Sequence, residues 1–171
     1  DPRLLEAVAA DGGADVVVVA AGVGVKALEE AKASQGLDGL HILPLQPFES
    51  FPDVLGSADV LLAVIDEEAG EFSVPSKVLS YLCAQKPIVL SAPEDNLAAQ
   101  IIVESGAGKV VPPGATKEFV SAAKHYIENL AAASVAGMAG RKYAEDNFEL
   151  SRIADQFEVI VSKAVSFRKS R

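Results

Sequence analysis

Cysteine occurs once in this chain, as Cys83, tryptophan is absent, and histidine appears only as His41 and His125. A lone cysteine excludes an internal disulfide and fits a reducing cytoplasm, and on an apolar-sided helix Cys83 reads as a small packing residue of the inner face. Neither histidine has a second metal-type ligand at useful spacing, so no metal is expected. Nor can a Ser-His-Asp or Cys-His catalytic set be assembled from them. Positive charge is also scarce: 15 Lys and Arg stand against 24 Asp and Glu, for a net charge of -9. Nucleic-acid binding is largely phosphate neutralisation by basic residues, so no nucleic-acid partner is expected. No window approaches the run of about 18 apolar residues that a spanning helix requires. The N-terminus lacks the basic-then-apolar order of a signal peptide. Together these absences predict a soluble, cytoplasmic polypeptide. Internal repeats, low-complexity segments and linkers are missing too, so residues 1–171 read as a single domain. The first residue is Asp1 rather than Met, which reads as a piece of a longer protein.

What the chain does have is apolar residues, half of the total, arranged in short runs that alternate with segments of helical period. Strands are expected at 15–20, 40–45, 59–65, 87–91 and 108–112, and helices at 2–10, 24–35, 48–57, 76–84 and 94–105. That alternation predicts βα units and a doubly wound parallel sheet covered on both faces. After Pro112-Pro113-Gly114 the pattern turns helical only: Thr116 is placed to cap a helix, 134–146 makes a second, and the apolar positions from Leu150 to Val165 make a third. Residues 115–171 are thus a helical C-terminal part of the same domain. The chain ends on a basic tail, Arg168-Lys169-Ser170-Arg171, read as a solvated helix end, with anionic lipid as the other reading.

The most informative stretch runs from Ser73 to Leu90. A polar loop, Ser73-Val74-Pro75-Ser76-Lys77, leads into a short apolar-sided helix, then a Lys86-Pro87 break and an apolar strand. Unpaired N–H groups at a helix start favour an anion by roughly 0.3–1 kcal/mol, and Lys77 adds a full charge. The competing reading is an ordinary helix start, with a serine cap, Pro75 in the first turn and Lys77 in solvent. Lys86, at the helix's other end, suits the dipole there and reads as a stabilising charge. Gly22-Val23-Gly24-Val25-Lys26-Ala27 formally satisfies the G-x-G-x-x-A dinucleotide fingerprint. The acidic residue that should end the next strand is absent from Leu43-Pro44-Leu45-Gln46, so no dinucleotide cofactor is expected and the glycines read as a tight turn. Asp66-Glu67-Glu68 with Glu71 reads as solvation of a loop rather than an ion site.

In order and spacing these pieces resemble the donor-binding region of the glycosyltransferase family 4 group, whose two-domain architecture is called GT-B. The matching residues are Pro75-Ser76-Lys77, Ala84-Gln85-Lys86-Pro87, Ile88-Val89, the Val16 to Gly24 strand and turn, Ile42 to Phe48, Ala58-Asp59-Val60 and Ser105 to Pro112. The resemblance implies a Rossmann-like GT-B C-terminal domain that holds a nucleoside diphosphate sugar, with the acceptor carried by an N-terminal domain outside these residues. It implies that Ser73 to Lys77 hold the diphosphate, that Glu71 or Ser80 faces the ribose or sugar, and that Gly22, Gly24, Leu45 and Gln46 lie near the base or its turn. Ser80 stands where many members carry the second glutamate of a Glu-x7-Glu pattern, and Glu71 meets the first only after a one-residue shift. For Leu45-Gln46-Pro47-Phe48 a second reading stays open, a proline-started helix with Phe48 packed inside. The family also places a strand ahead of the first helix, in the middle of the sheet, which would lie upstream of Asp1. No cofactor is implied. The activity implied is glycosyl transfer in cell-surface polysaccharide or glycolipid synthesis, with peripheral association at the inner membrane face open for the full-length enzyme. Two other readings are a non-catalytic flavodoxin-like binding or signalling module, for which Asp66 is only a partial match, and another GT-B enzyme such as a sugar-nucleotide epimerase.

Overall fold

The computed structural model describes residues 2–65 and 76–169. Helix α1 (Arg3–Ala10) leads to strand β1 (Val16–Val19), helix α2 (Val23–Gln35) and strand β2 (Leu40–Leu43). A 3-10 turn at Phe48–Ser50 and helix α3 (Phe51–Gly56) carry the chain to β3 (Leu61–Val64). Then follow α4 (Ser76–Cys83), β4 (Ile88–Ser91), α5 (Leu97–Ser105) and β5 (Gly108–Val111). The chain closes with α6 (Thr116–Glu128), α7 (Leu130–Asn147) and α8 (Leu150–Lys169). Every strand pair is parallel, and every pair is consecutive in sequence: β1 with β2, β3 with β4, β4 with β5.

The sheet is in two parts, β1-β2 and β3-β4-β5. Val16 and Ala20 donate to the Gly39 and Leu43 carbonyls, while Leu61 and Ile65 donate to those of Pro87 and Ser91. Val17 and Val19, Leu62 and Val64 therefore turn their backbone groups to the opposite sides, where no described strand pairs with them. Four consecutive valines should be buried in an interior parallel strand. In β1 only Val16 is buried, and Val17 is 56% exposed.

Both parts nonetheless share a core. Leu4 and Val8 of α1, Val16, Leu40, Val89, Val111, and Phe119 and Tyr126 of α6 form one buried cluster. On the other face Val78 and Leu82 of α4 pack with Ile88, Leu90, Ala98 and Ile102. Burial of each such side chain is worth about 1.5–3 kcal/mol. Lys124 on α6 reaches Asp11 after α1 at 2.7 Å, and this partner raises the lysine's pKa.

Three expectations need correction. Thr116 does not cap α6; it is the first helical residue, behind an Ala115 that offers no side-chain oxygen. Helix α5 begins at Leu97 rather than 94 because buried Asn96 takes the cap, accepting from the Ala98 N–H at 2.9 Å. Cys83 is exposed, not on the inner face. The inner face of α4 is set by Val78 and Leu82, four residues apart, and Cys83 lies one step round from Leu82.

Candidate functional site

Within each part of the sheet the strands run the same way, so Val19 and Leu43 end together in one part, and Val64, Ser91 and Val111 end together in the other. In open α/β sheets ligands bind outside such ends. Helix α4 starts at those of β3-β4-β5. Ser76 and Lys77 are exposed, Ser80 is half-buried, and Val78 and Leu82 are buried. At 100° per residue Ser76 and Ser80 share the face opposite the buried pair, with Lys77 on its flank. The serine, the lysine and the first-turn N–H groups of α4 thus converge at one helix end. Glu71, Ser73, Val74 and Pro75, together with the acidic run from Asp66, lie outside the described residues. Lys86, half-buried, follows the C-terminal end of α4 beyond Gln85, whose φ of 57° marks the left-handed helix stop.

The second set of candidate residues follows β1 and β2. Gly22 has φ 98°, a backbone shape closed to side chains without strain, and it caps α2, accepting from the Val25 N–H at 3.2 Å. Gly24 belongs to the first turn of α2 rather than to the bend. Leu45 and Gln46 are exposed, but the Gln46 side-chain amide donates back to the Pro44 carbonyl at 2.8 Å. That side chain shapes its own loop. Among the described residues no hydrogen bond or ion pair joins this set to Ser76, Lys77 and Ser80.

The buried-helix reading of Phe48 fails: the residue sits in the 3-10 turn and is 85% exposed. Two polar contacts had no sequence signal. Tyr81 on α4 donates its hydroxyl to the Leu62 carbonyl at 3.3 Å, on the unpaired side of β3, and burial pushes that hydroxyl's pKa up. Arg141 on α7 donates to the Cys83 carbonyl at 3.0 Å, filling an acceptor left free at the end of α4. Ser91, at the end of β4, is buried with no hydrogen-bond partner for its hydroxyl among the described residues. The histidines are surface groups: His41 meets Asp15 at 2.9 Å, and exposed His125 stacks edgewise on Tyr126. No group of acidic, histidine or cysteine side chains among the described residues is arranged to hold a metal ion. No described helix is long and apolar enough to cross a membrane. A wide hollow of about 470 Å³ lies elsewhere, along Lys109 to Val111 of β5 and Lys117 to Ala122 of α6. It is an open surface between a strand and its following helix, and its lining includes Val111 at the C-terminal end of β5.

Comparison with known proteins agrees with this architecture. A family model described as "Glycosyl transferases group 1" matches residues 2–129, the greater part of the chain. Among solved structures, WaaG, a glycosyltransferase involved in lipopolysaccharide biosynthesis, is similar with a TM-score of 0.68 at 18% identity. The similarity covers 84% of this chain and 38% of that one, so the chain spans well under half of its relative's length. No curated protein matches in sequence.

Proposed function

Since the chain belongs to the group 1 glycosyl transferases, we propose that it is the donor-binding half of a GT-B enzyme that moves a sugar from a nucleoside diphosphate sugar to an acceptor. The observation that carries this reading is the start of α4 at the C-terminal edge of the parallel sheet, with Ser76 and Lys77 exposed on it. Helix N–H groups and a lysine stabilise the charge that grows on the diphosphate as the sugar departs. That is the chief work of such a site, along with holding the sugar in line with its acceptor. Ser73 to Pro75 would continue the same cradle, Ser80 and Glu71 would face the ribose or sugar, and Gly22, Gly24, Leu45 and Gln46 would lie towards the base. The acceptor, in this reading, is held by a partner domain, and the enzyme works at the cytoplasmic side, at the inner membrane face if its acceptor is a lipid. These 171 residues alone are expected to bind the nucleotide without transferring sugar.

The test is a thermal shift with millimolar UDP, GDP, ADP and dTDP. A ligand at about 100 times its dissociation constant adds roughly 2.7 kcal/mol of stability. At least one of the four should raise the midpoint; if none does, the donor-binding reading falls. Lys77→Ala should reduce the shift with the unliganded midpoint unchanged, because Lys77 is exposed. Lys86→Ala should lower the unliganded midpoint and leave the shift intact, and equal losses of binding from both would refute the assigned polarity of α4.

A further inference from the structure

Among the described residues, the side-chain ties that hold α4 sit in its second half. The Tyr81 hydroxyl donates to the Leu62 carbonyl at 3.3 Å, and the Cys83 carbonyl accepts from the Arg141 guanidinium at 3.0 Å. At the other end Ser76 and Lys77 are exposed, and among the described residues their side chains make no hydrogen bond or ion pair. The start of α4 is therefore aimed from behind. Arg141 lies one turn after Gly137 on α7, where backbone meets backbone: a Cβ on Gly137 would press against the Gln85 carbonyl. A further turn on, Glu145 accepts from the Arg141 Nε at 2.7 Å. The planar guanidinium is thus braced on one side by Glu145 and bonds Cys83, 58 residues away in sequence, through the other.

That bond acts on the whole helix. The Cys83 carbonyl is among the last of α4, at the negative end of its dipole, and a cation there stabilises the helix in the same sense as an anion at its start. With only 8 residues, α4 is too short to persist without its neighbours, so loosening its last turn also loosens its first. N–H groups that wander lose their line on a bound anion, and a displacement of about 1 Å is already costly. We propose that Arg141 is a positioning residue for the donor diphosphate: without touching the ligand, it fixes the far end of α4 and so holds the first-turn N–H groups and Lys77 in place. The proposal rests on the donor-binding reading above.

Arg141→Met keeps an apolar stem and removes the donor, and because the arginine side chain is 47% exposed its loss opens no cavity. The variant should bind nucleoside diphosphates about fivefold more weakly, the low end of the usual coupling between separate sites. Its affinity for the parent nucleoside, which carries no phosphate, should be unchanged when followed by ligand-observed NMR. Arg141→Lys, still able to donate to the Cys83 carbonyl, should recover most of the loss. Arg141→Gln is shorter and polar, and repeats the removal should the methionine variant fail to fold. A purely structural cap would lower the melting midpoint and leave the ratio of diphosphate to nucleoside affinity where it was; that result overturns the proposal while the donor site stands. An equal loss for nucleoside and diphosphate overturns it too, since the whole domain would then be disturbed. Failure of the unaltered protein to bind any nucleoside diphosphate removes both readings together.

Discussion

At the scale of the single residue, the decisive facts are which side chains point away from the core and what they have left to bond. Ser80 is the sharpest case. It shares a helix face with Ser76, opposite buried Val78 and Leu82, and is itself half-buried, so a longer side chain there has a partial opening to solvent. Ser80→Glu should therefore fold normally and offer a carboxylate to the ribose hydroxyls. Hydrogen bonds to a charged acceptor are worth roughly 1.5–3 kcal/mol each before desolvation is subtracted, so a net gain of about 1 kcal/mol, some fivefold in affinity, is expected. A 2′,3′-dideoxynucleotide should show no gain. Titration calorimetry with the two nucleotides, alongside the melting midpoint, checks this; a lower midpoint without tighter binding would place Ser80 in the wrong register. Ser80 was placed by resemblance, and the 100° helical step that puts it with Ser76, opposite Val78 and Leu82, needs the buried residues of α4 to be known. Cys83 was not legible, since one step of 100° separates an inner position from an exposed one and the residue type suits either.

At the scale of the element, legibility follows how strongly each end is punctuated. The β4 strand was readable almost to the residue, because Pro87 bars a helix before it and Ile88, Val89 and Leu90 run together; it is buried throughout. The start of α7 was not readable, because Asn129, which accepts from the Ala132 N–H at 3.0 Å, lies well ahead of the 134–146 stretch that carries the plainer pattern. Where α7 meets α4 the fit depends on two helical glycines. A Cβ on Gly137 would press against the Gln85 carbonyl, and one on Gly140 would lie 3.1 Å from the Ala107 Cβ. Replacing a helix-interior glycine by alanine normally stabilises by about 0.5–1 kcal/mol. At Gly137 overpacking, typically 1–3 kcal/mol, acts against that gain, and because the obstacle is backbone and cannot rotate away, the clash should win. Gly137→Ala is thus expected to destabilise by about 1–2 kcal/mol and to lower the midpoint by several degrees in a chain of this length. Differential scanning calorimetry settles the sign, and a raised midpoint would mean that α7 shifts freely off α4.

At the scale of the whole molecule, the parallel α/β architecture was legible because apolar runs and helical periods alternate without interruption. The site was legible only in part. Helix starts and strand ends can be placed from local chemistry, whereas Phe48 in solvent and Tyr81 on the Leu62 carbonyl depend on tertiary packing. The division of the sheet is measurable in solution. The amides of Val17, Val19, Leu62 and Val64 should exchange with solvent much faster than those of Val16, Ala20, Leu61 and Ile65, which donate to neighbouring strands. Equal protection in the two sets, read residue by residue by NMR, would show that the free edges are paired in solution.

The same two-part sheet bears on the order of folding. Each strand pair joins neighbours in sequence through one connecting helix, so β1-α2-β2 and β3-α4-β4-α5-β5 are each local in sequence. What unites them is α6 returning to α1, clamped by Lys124 on Asp11 across more than half the chain. That closure is the longest in the chain and has no ladder of strand bonds to drive it. The docking of α6 onto α1 is therefore expected to come late, after the two sequence-local units have formed.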